Sequence, residues 1–354
     1  MRVRRPGGII LNAGGRTEVR DTRKRTMDGA IDGLVQLLGA GPPLVLDGAT
    51  GTELTRRGVP TPLPLWSATA LRTHPDVVEA VHRDYVAAGA RIIVANTFRT
   101  NVRTLRGAGL LEEGALLNRT AVALARAAAG RVSEGLAEAD LPLGGSRRVW
   151  VAASVGPVED CYHPERVPDE VTLRVEHEQM MLWLREAQPD LIWIETMNTV
   201  REAQAAASAA AAAGMPFAVS FVVRENGNLL SGEPLEQAVQ AVEPLGPLAI
   251  GLNCIPPAGM TRNLPRLRAA TTRPLAAYAH IGNPDPICGW SFSQSMTPEE
   301  YAACALDWVA RGAQVVGGCC GTTPEHIRAV AAALSDELGR SGFPRGVDHA
   351  RVTA

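Results

Sequence analysis

The chain has 354 residues, 46% hydrophobic and 20% charged, with a net charge of -2 and a pI near 6.4. This is the composition of a folded protein of one large or two modest domains, and it offers no basic footprint for nucleic acid or for an anionic membrane. No apolar run is long enough to span a bilayer; the alanine-rich stretch from Ala205 to Ala213 is short and contains Ser208.

Residues 1–27 differ from the rest. They hold eight basic residues, among them Arg2, Arg4, Arg5 and Arg23-Lys24-Arg25, against Glu18 and Asp21. They lack the apolar core and cleavage site of a signal peptide. The expectation is a disordered basic extension, or residues ahead of a natural start at Met27; a transit peptide is the alternative. Six cysteines in so long a chain do not make a disulfide scaffold. Without a secretory signal a cytoplasmic location is expected, where thiols stay free to bind metal.

From residue 44 one theme repeats: a short β-branched apolar run, a polar or glycine-rich turn, then an amphipathic alanine-rich stretch. The runs are Leu44 to Asp47, Arg91 to Asn96, Val149 to Ser154, Leu191 to Glu195, Phe217 to Val222, Leu248 to Cys254, Leu275 to His280 and Ala313 to Val316. Continuous apolar runs of this length suit strands buried on both faces, as in parallel sheets. Between them lie helix patterns such as 75–88, 113–129, 171–187, 200–213 and 298–310. Thr297-Pro298-Glu299-Glu300 offers an N-cap threonine, a proline at the first helical position and a glutamate at the third. Thr323-Pro324-Glu325-His326 starts in the same way, with His326 in place of the acid. Pro284 to Thr297 reads as a long loop, and Gly144-Gly145 as a local one.

Eight strands alternating with helices predict an α/β fold of the (β/α)8 TIM-barrel type, one domain over residues 28–340 with a tail over 341–354. A doubly wound open sheet is the alternative. It usually carries a glycine-rich phosphate loop after its first strand, and Asp47-Gly48-Ala49-Thr50-Gly51-Thr52 is not such a fingerprint.

In a barrel the active site lies at the C-terminal ends of the strands. Those ends carry Asp47, Asn96, Ser154, Glu195, Ser220, Asn253-Cys254, His280 and Cys319-Cys320. The three thiols Cys254, Cys319 and Cys320 are what a three-thiolate zinc site with an open fourth position needs. An adjacent cysteine pair can also be plain packing. The glycines on either side, Gly317, Gly318 and Gly321, favour the metal reading, because they add no bulk and free the backbone to turn. Each polar residue alone could be a loop cap; the ring of them together reads as a site.

The segments Asp47 to Leu54, Ala95-Asn96-Thr97-Phe98, Ser154-Val155-Gly156-Pro157, Ile194-Glu195-Thr196, Gly251-Leu252-Asn253-Cys254 and Gly317 to Gly321 resemble, in order, the motifs of the homocysteine S-methyltransferase family. The resemblance runs from about residue 40 to 335. It implies a zinc-bearing barrel that methylates the sulfur of homocysteine to give methionine, with Zn2+ on Cys254, Cys319 and Cys320. It implies Glu195 and Asp47 on the homocysteine ammonium and the turn after the first strand on its carboxylate, with Asn253 supporting the metal loop. The expected substrate contacts are Asp47, Gly48, Thr50, Gly51, Thr52, Asn96, Thr97, Ser154, Glu195 and Asn253.

The expected partners are small molecules, homocysteine and a cationic methyl donor, with neither nucleic acid nor membrane, and a homo-oligomer is allowed. The single-domain members it resembles use S-methylmethionine or S-adenosylmethionine, and related barrels use betaine. Aromatic faces could accept such a cation, and the candidates are Trp66, Phe98, Tyr162, Tyr278, Trp290 and Phe292. Two alternatives stand beside this reading: a methyl-transfer subunit served by a corrinoid protein, and a zinc barrel without catalysis. Two segments depart from the family pattern. Val158 to His163 follows the third strand where a glycine and an aromatic are common, and Tyr278-Ala279-His280 stands where Tyr-Pro-Asn is common. Cys161, His163, Cys288 and Cys304 are not needed for zinc.

Overall fold

The computed structural model describes residues 31–135, 148–285, 289–291 and 296–340. The basic extension, the Gly144–Gly145 loop, Cys288, Phe292 and the tail lie outside these residues. Eight of the ten described strands are parallel: β1 (Leu44–Val45), β2 (Ile92–Ala95), β3 (Trp150–Val155), β4 (Leu191–Met197), β5 (Phe217–Phe221), β6 (Ile250–Asn253), β7 (Leu275–Ala279) and β10 (Ala313–Gly318). The other two, β8 (Asn283–Asp285) and β9 (Gly289–Ser291), form an antiparallel hairpin. That hairpin falls in the stretch expected to be a loop. Its strands have three residues each, too short for a periodic signal.

The sheet runs β1-β10-β7-β6-β5-β4-β3-β2. Its ends meet through the Leu46–Ile92 bridge, with Arg91 N donating to Val45 O at 2.7 Å and Asp47 N donating to Ile92 O at 3.0 Å. The sheet is therefore a closed barrel, which leaves no edge strand exposed. Alternate residues pack together into one inner cluster: Leu44 and Leu46, Ile92, Trp150 and Ala152, Leu191 and Trp193, Ala218, Ala276, Tyr278 and Val315. The helical residues 31–40 add Leu34 and Leu38 to this cluster.

The other strand face packs on the helices, which appear where the amphipathic pattern put them: Pro75–Ala87, Gly114–Gly135, Glu170–Ala187, Val200–Ala212 and Pro298–Ala310. Thr297 and Glu300 form the reciprocal capping box. At the next helix start His326 takes the acid's part, its Nδ1 accepting from Thr323 N at 3.2 Å. Among the described residues no helix is long and apolar enough to cross a membrane.

Candidate active site

The strand ends bring Cys254, Cys319 and Cys320 together, with all three Sγ atoms within 4.8 Å of one another. Cys254 Sγ lies 2.7 Å from Cys319 Sγ and 3.9 Å from Cys320 Sγ. Sulfurs sharing a tetrahedral metal with bonds of about 2.3 Å lie roughly 3.8 Å apart, so the cluster fits a zinc ion once the shorter pair opens. The donor set agrees with the spacing: three soft ligands leave one coordination position free. The thiols of Cys319 and Cys320, facing Cys254, hold its pKa well below the ordinary thiol value against the opposing effect of burial; the nearby His280 acts in the same direction. Cys319 and Cys320 are pushed up by that same contact.

Two backbone devices shape this end of the barrel. Cys254 and Thr196 both adopt left-handed φ values, +53° and +60°. Such conformations are costly for residues with a Cβ and persist only where the surroundings enforce them. Asn253 does so on one side: its Oδ1 accepts from Thr196 N and its Nδ2 donates to Thr196 Oγ1, both at 2.8 Å. On the other side Cys254 N donates to Tyr278 O at 3.1 Å.

Two carboxylates face the same cavity. The Glu195 carboxylate accepts hydrogen bonds from the Ser154 hydroxyl and, at 3.2 Å, from Tyr278 OH. Tyr278 OH in turn accepts from Trp193 Nε1 at 2.8 Å. Asp47 Oδ2 accepts from Val94 N at 2.8 Å. Burial raises the Glu195 pKa to about 7, against the hydrogen bond from Ser154. Burial first, and the charge of Glu195 further, raise that of Asp47 well above the usual range. Among the described residues neither acid has a salt-bridge partner. Two acids, Asp47 buried and Glu195 part-buried, close enough to repel each other make a pocket that favours a cation.

Asp47, Gly48, Thr50, Gly51, Asn96, Ser154 and Glu195 line one cavity of about 510 Å³ together with the three cysteines. Trp66, Phe98, Tyr162 and Tyr278 supply its aromatic surface, and Asp160, Cys161 and His163 also reach it. Close approach makes two glycines necessary here. A Cβ on Gly51 would enter the Trp66 indole, and one on Gly156 the Phe98 ring.

Three expected contacts do not line the cavity. Thr52 Oγ1 accepts from Gly321 N at 3.0 Å, Thr97 Oγ1 donates to Ser154 O at 2.7 Å, and Asn253 is spent on Thr196. They brace the walls. Asn96 lines the cavity, but both its polar atoms bond Ser67, beside Trp66. Two bracing residues carry no sequence signal. Tyr85 OH donates to Ala49 O at 2.9 Å, and Thr322 Oγ1 donates to Cys319 O at 2.7 Å. Tyr85 sits on a helix face where a core role explains it equally well, and Thr322 sits in a turn.

The homocysteine S-methyltransferase family model matches residues 44–334, which span every strand and every residue of this site. The chain belongs to the homocysteine S-methyltransferase family. Among its relatives, a selenocysteine methyltransferase of Astragalus bisulcatus is 30% identical over 316 residues, covering 84% of this chain and 94% of the relative. Homocysteine S-methyltransferase 3 of Arabidopsis thaliana is 30% identical over 320 residues, covering 85% and 92%. The metallated form of the homocysteine methyltransferase MmuM of Escherichia coli superposes with a TM-score of 0.73 at 29% identity, over 84% of this chain and 98% of that one. Membership of the family makes the protein a methyltransferase. The departure after β3 does face the site, since Asp160 to His163 line the cavity. His280 is not among the lining residues, though its ring acts on Cys254.

Proposed function

We propose that this protein transfers a methyl group from a sulfonium donor, S-methylmethionine or S-adenosylmethionine, to the sulfur of homocysteine, with zinc on Cys254, Cys319 and Cys320. The observation that supports it is one cavity lined by three converging thiols at one point and, at another, by two carboxylates that have no cationic partner among the described residues. An amino-acid thiol has the matching pair of groups, a sulfur and an ammonium. When bound, zinc lowers the pKa of a thiol in its fourth position, so that the acceptor is a thiolate at neutral pH.

The residues of the chain supply binding and alignment. Glu195 and Asp47 accept from the ammonium, and ionise when it arrives because the cation offsets the cost of burial. The acceptor carboxylate meets the backbone N–H groups of the cavity-lining Gly48, Thr50 and Gly51, where the helix Thr50–Arg56 begins without a side-chain cap. Held at both polar ends, the acceptor keeps its sulfur on the cysteine cluster. Methyl transfer is an in-line displacement: the sulfur lone pair forms the new S–C bond as the donor C–S bond breaks, and the donor leaves as a neutral thioether. No general base is needed at the nucleophile, so positioning carries much of the rate. Trp66 and Phe98 offer π-faces to the cationic donor.

The experiment is methionine formation from homocysteine with S-methylmethionine, S-adenosylmethionine and betaine in turn. Formation with a sulfonium donor supports the reading. Turnover only with a methylated corrinoid protein, or none with any donor, would replace it by the corrinoid-served or the non-catalytic alternative. A selenocysteine acceptor is the second reading, favoured by the Astragalus relative. A higher kcat/KM for selenocysteine than for homocysteine would select it.

A further inference from the structure

The segment after β3 brings a phenol onto the metal-site thiols. Tyr162 OH lies 3.5 Å from Cys254 Sγ, within reach for a donated O–H···S bond. Its ring and that of Trp66 pack against the cluster formed by Cys254, Cys319 and Cys320. We propose that Tyr162 is a cover for this cluster: it donates to Cys254 and shields the sulfurs in the resting protein, and the acceptor must displace it to reach the open coordination position. This inference rests on the acceptor entering at the cysteines, as in the function proposed above.

The geometry around Tyr162 explains why it sits there. The segment is pinned from the turn and the helix that follow β4. Glu202 Oε1 accepts from Val158 N at 2.8 Å, and Asn198 Nδ2 donates to Cys161 O at 2.8 Å. Arg201 donates to Val167 O at the far end. Inside the segment Asp160 Oδ1 accepts from Tyr162 N at 2.9 Å, which turns the tyrosine inward. Glu202 and Asn198 are fully buried, so these anchors are dry. Tyr162 itself is only part-buried. A fixed base under a partly exposed ring lets the ring swing while the segment stays in place. The O–H···S bond is weak and easily exchanged for contacts to an incoming substrate.

The test compares Tyr162→Phe and Tyr162→Ala with the parent in two assays. The first needs no substrate. Zinc-loaded protein is mixed with a chromophoric chelator and the rate of metal loss is followed; metal-free reduced protein is mixed with an aromatic disulfide and the release of thiolate is timed. Loss of the hydroxyl should speed both by about 3- to 10-fold, with a larger gain for the alanine variant. The second is homocysteine binding to the zinc-loaded protein without donor, followed by turnover. Because the acceptor no longer displaces a bonded phenol, the phenylalanine variant should bind it about 3- to 10-fold more tightly. KM should fall while kcat does not rise, a split that a merely structural tyrosine would not produce. Parental rates of metal loss and thiol reaction in both variants would overturn the proposal whatever the acceptor is. Faster thiol reaction with weaker homocysteine binding would also overturn it, by making Tyr162 a substrate contact. If neither parent nor variants bind homocysteine, the acceptor reading fails, and the substrate-free rates alone decide whether Tyr162 covers the cluster.

Discussion

At Glu195, burial raises the carboxyl pKa from an ordinary value of 4.5 to about 7. Below about pH 7 the neutral acid is thus the form favoured in the ligand-free fold. Its contribution to stability is complete below about pH 4.5 and is lost as pH rises through about 7. Binding an ammonium asks for the opposite, an ionised Glu195. Glu195→Gln, which stays neutral, should melt at or above the parent temperature near pH 8 and show a flatter pH dependence. Melting curves of both proteins across that range check this. The same variant should keep its zinc yet lose roughly 10- to 1000-fold in homocysteine kcat/KM, as expected for a charge-assisted contact of about 1.5–4 kcal/mol. A thiol lacking the amino group should lose much less. Equal losses for the two thiols would mean that Glu195 holds the barrel mouth rather than the acceptor.

The ends of β4, β6 and β10 act together as elements. Asn253 ties β6 to the strained Thr196 of β4, and Cys254 follows it directly. Asn253→Ala leaves a buried N–H without a partner and releases both left-handed residues. It should cost about 1–3 kcal/mol in urea unfolding, and zinc content should fall although no ligand has changed. Full zinc with parental stability would show that Cys254 is placed without this tie. Direct ligand changes should go further: Cys254→Ser, Cys319→Ser and Cys320→Ser should each lose the one zinc expected per chain. Cys161→Ser and Cys304→Ser should keep it, as read by elemental analysis of the purified proteins. Thiol oxidation should inactivate the parent, and reductant with zinc should restore it.

For the molecule as a whole, the helical residues 31–40 add Leu34 and Leu38, 0% and 5% exposed, to the inner barrel cluster. Leu34→Ala should cost about 2–5 kcal/mol, because the rigid strand layer cannot collapse onto the space left. A lowered denaturation midpoint with unchanged kcat/KM for homocysteine at low temperature is the expected result. Loss of turnover at full stability would mean that this segment reaches the site.

Much of the architecture is legible in the chain because it is local. A buried strand needs an apolar run and an amphipathic helix needs its periodic stripe, so the eight strands, the major helices and the polar strand ends can be read directly from spacing. Elements against the local rules were not legible. Helix Pro257–Ala270 carries Pro265 in its interior, and the β8–β9 hairpin is too short to show a period. The motifs also told which thiols to group, but not which neighbours face them. Thr52, Thr97 and Asn253 stand in the motifs beside cavity residues, yet turn into the walls, while Tyr162, from a segment outside the family pattern, reaches Cys254. Those outcomes depend on barrel closure at Leu46 and Ile92 and on the register of each strand pair. A single-residue shift reverses the face a side chain takes. Local patterning determines that a residue lies at a strand end; only the closed ring of strands decides which way it points and what it meets.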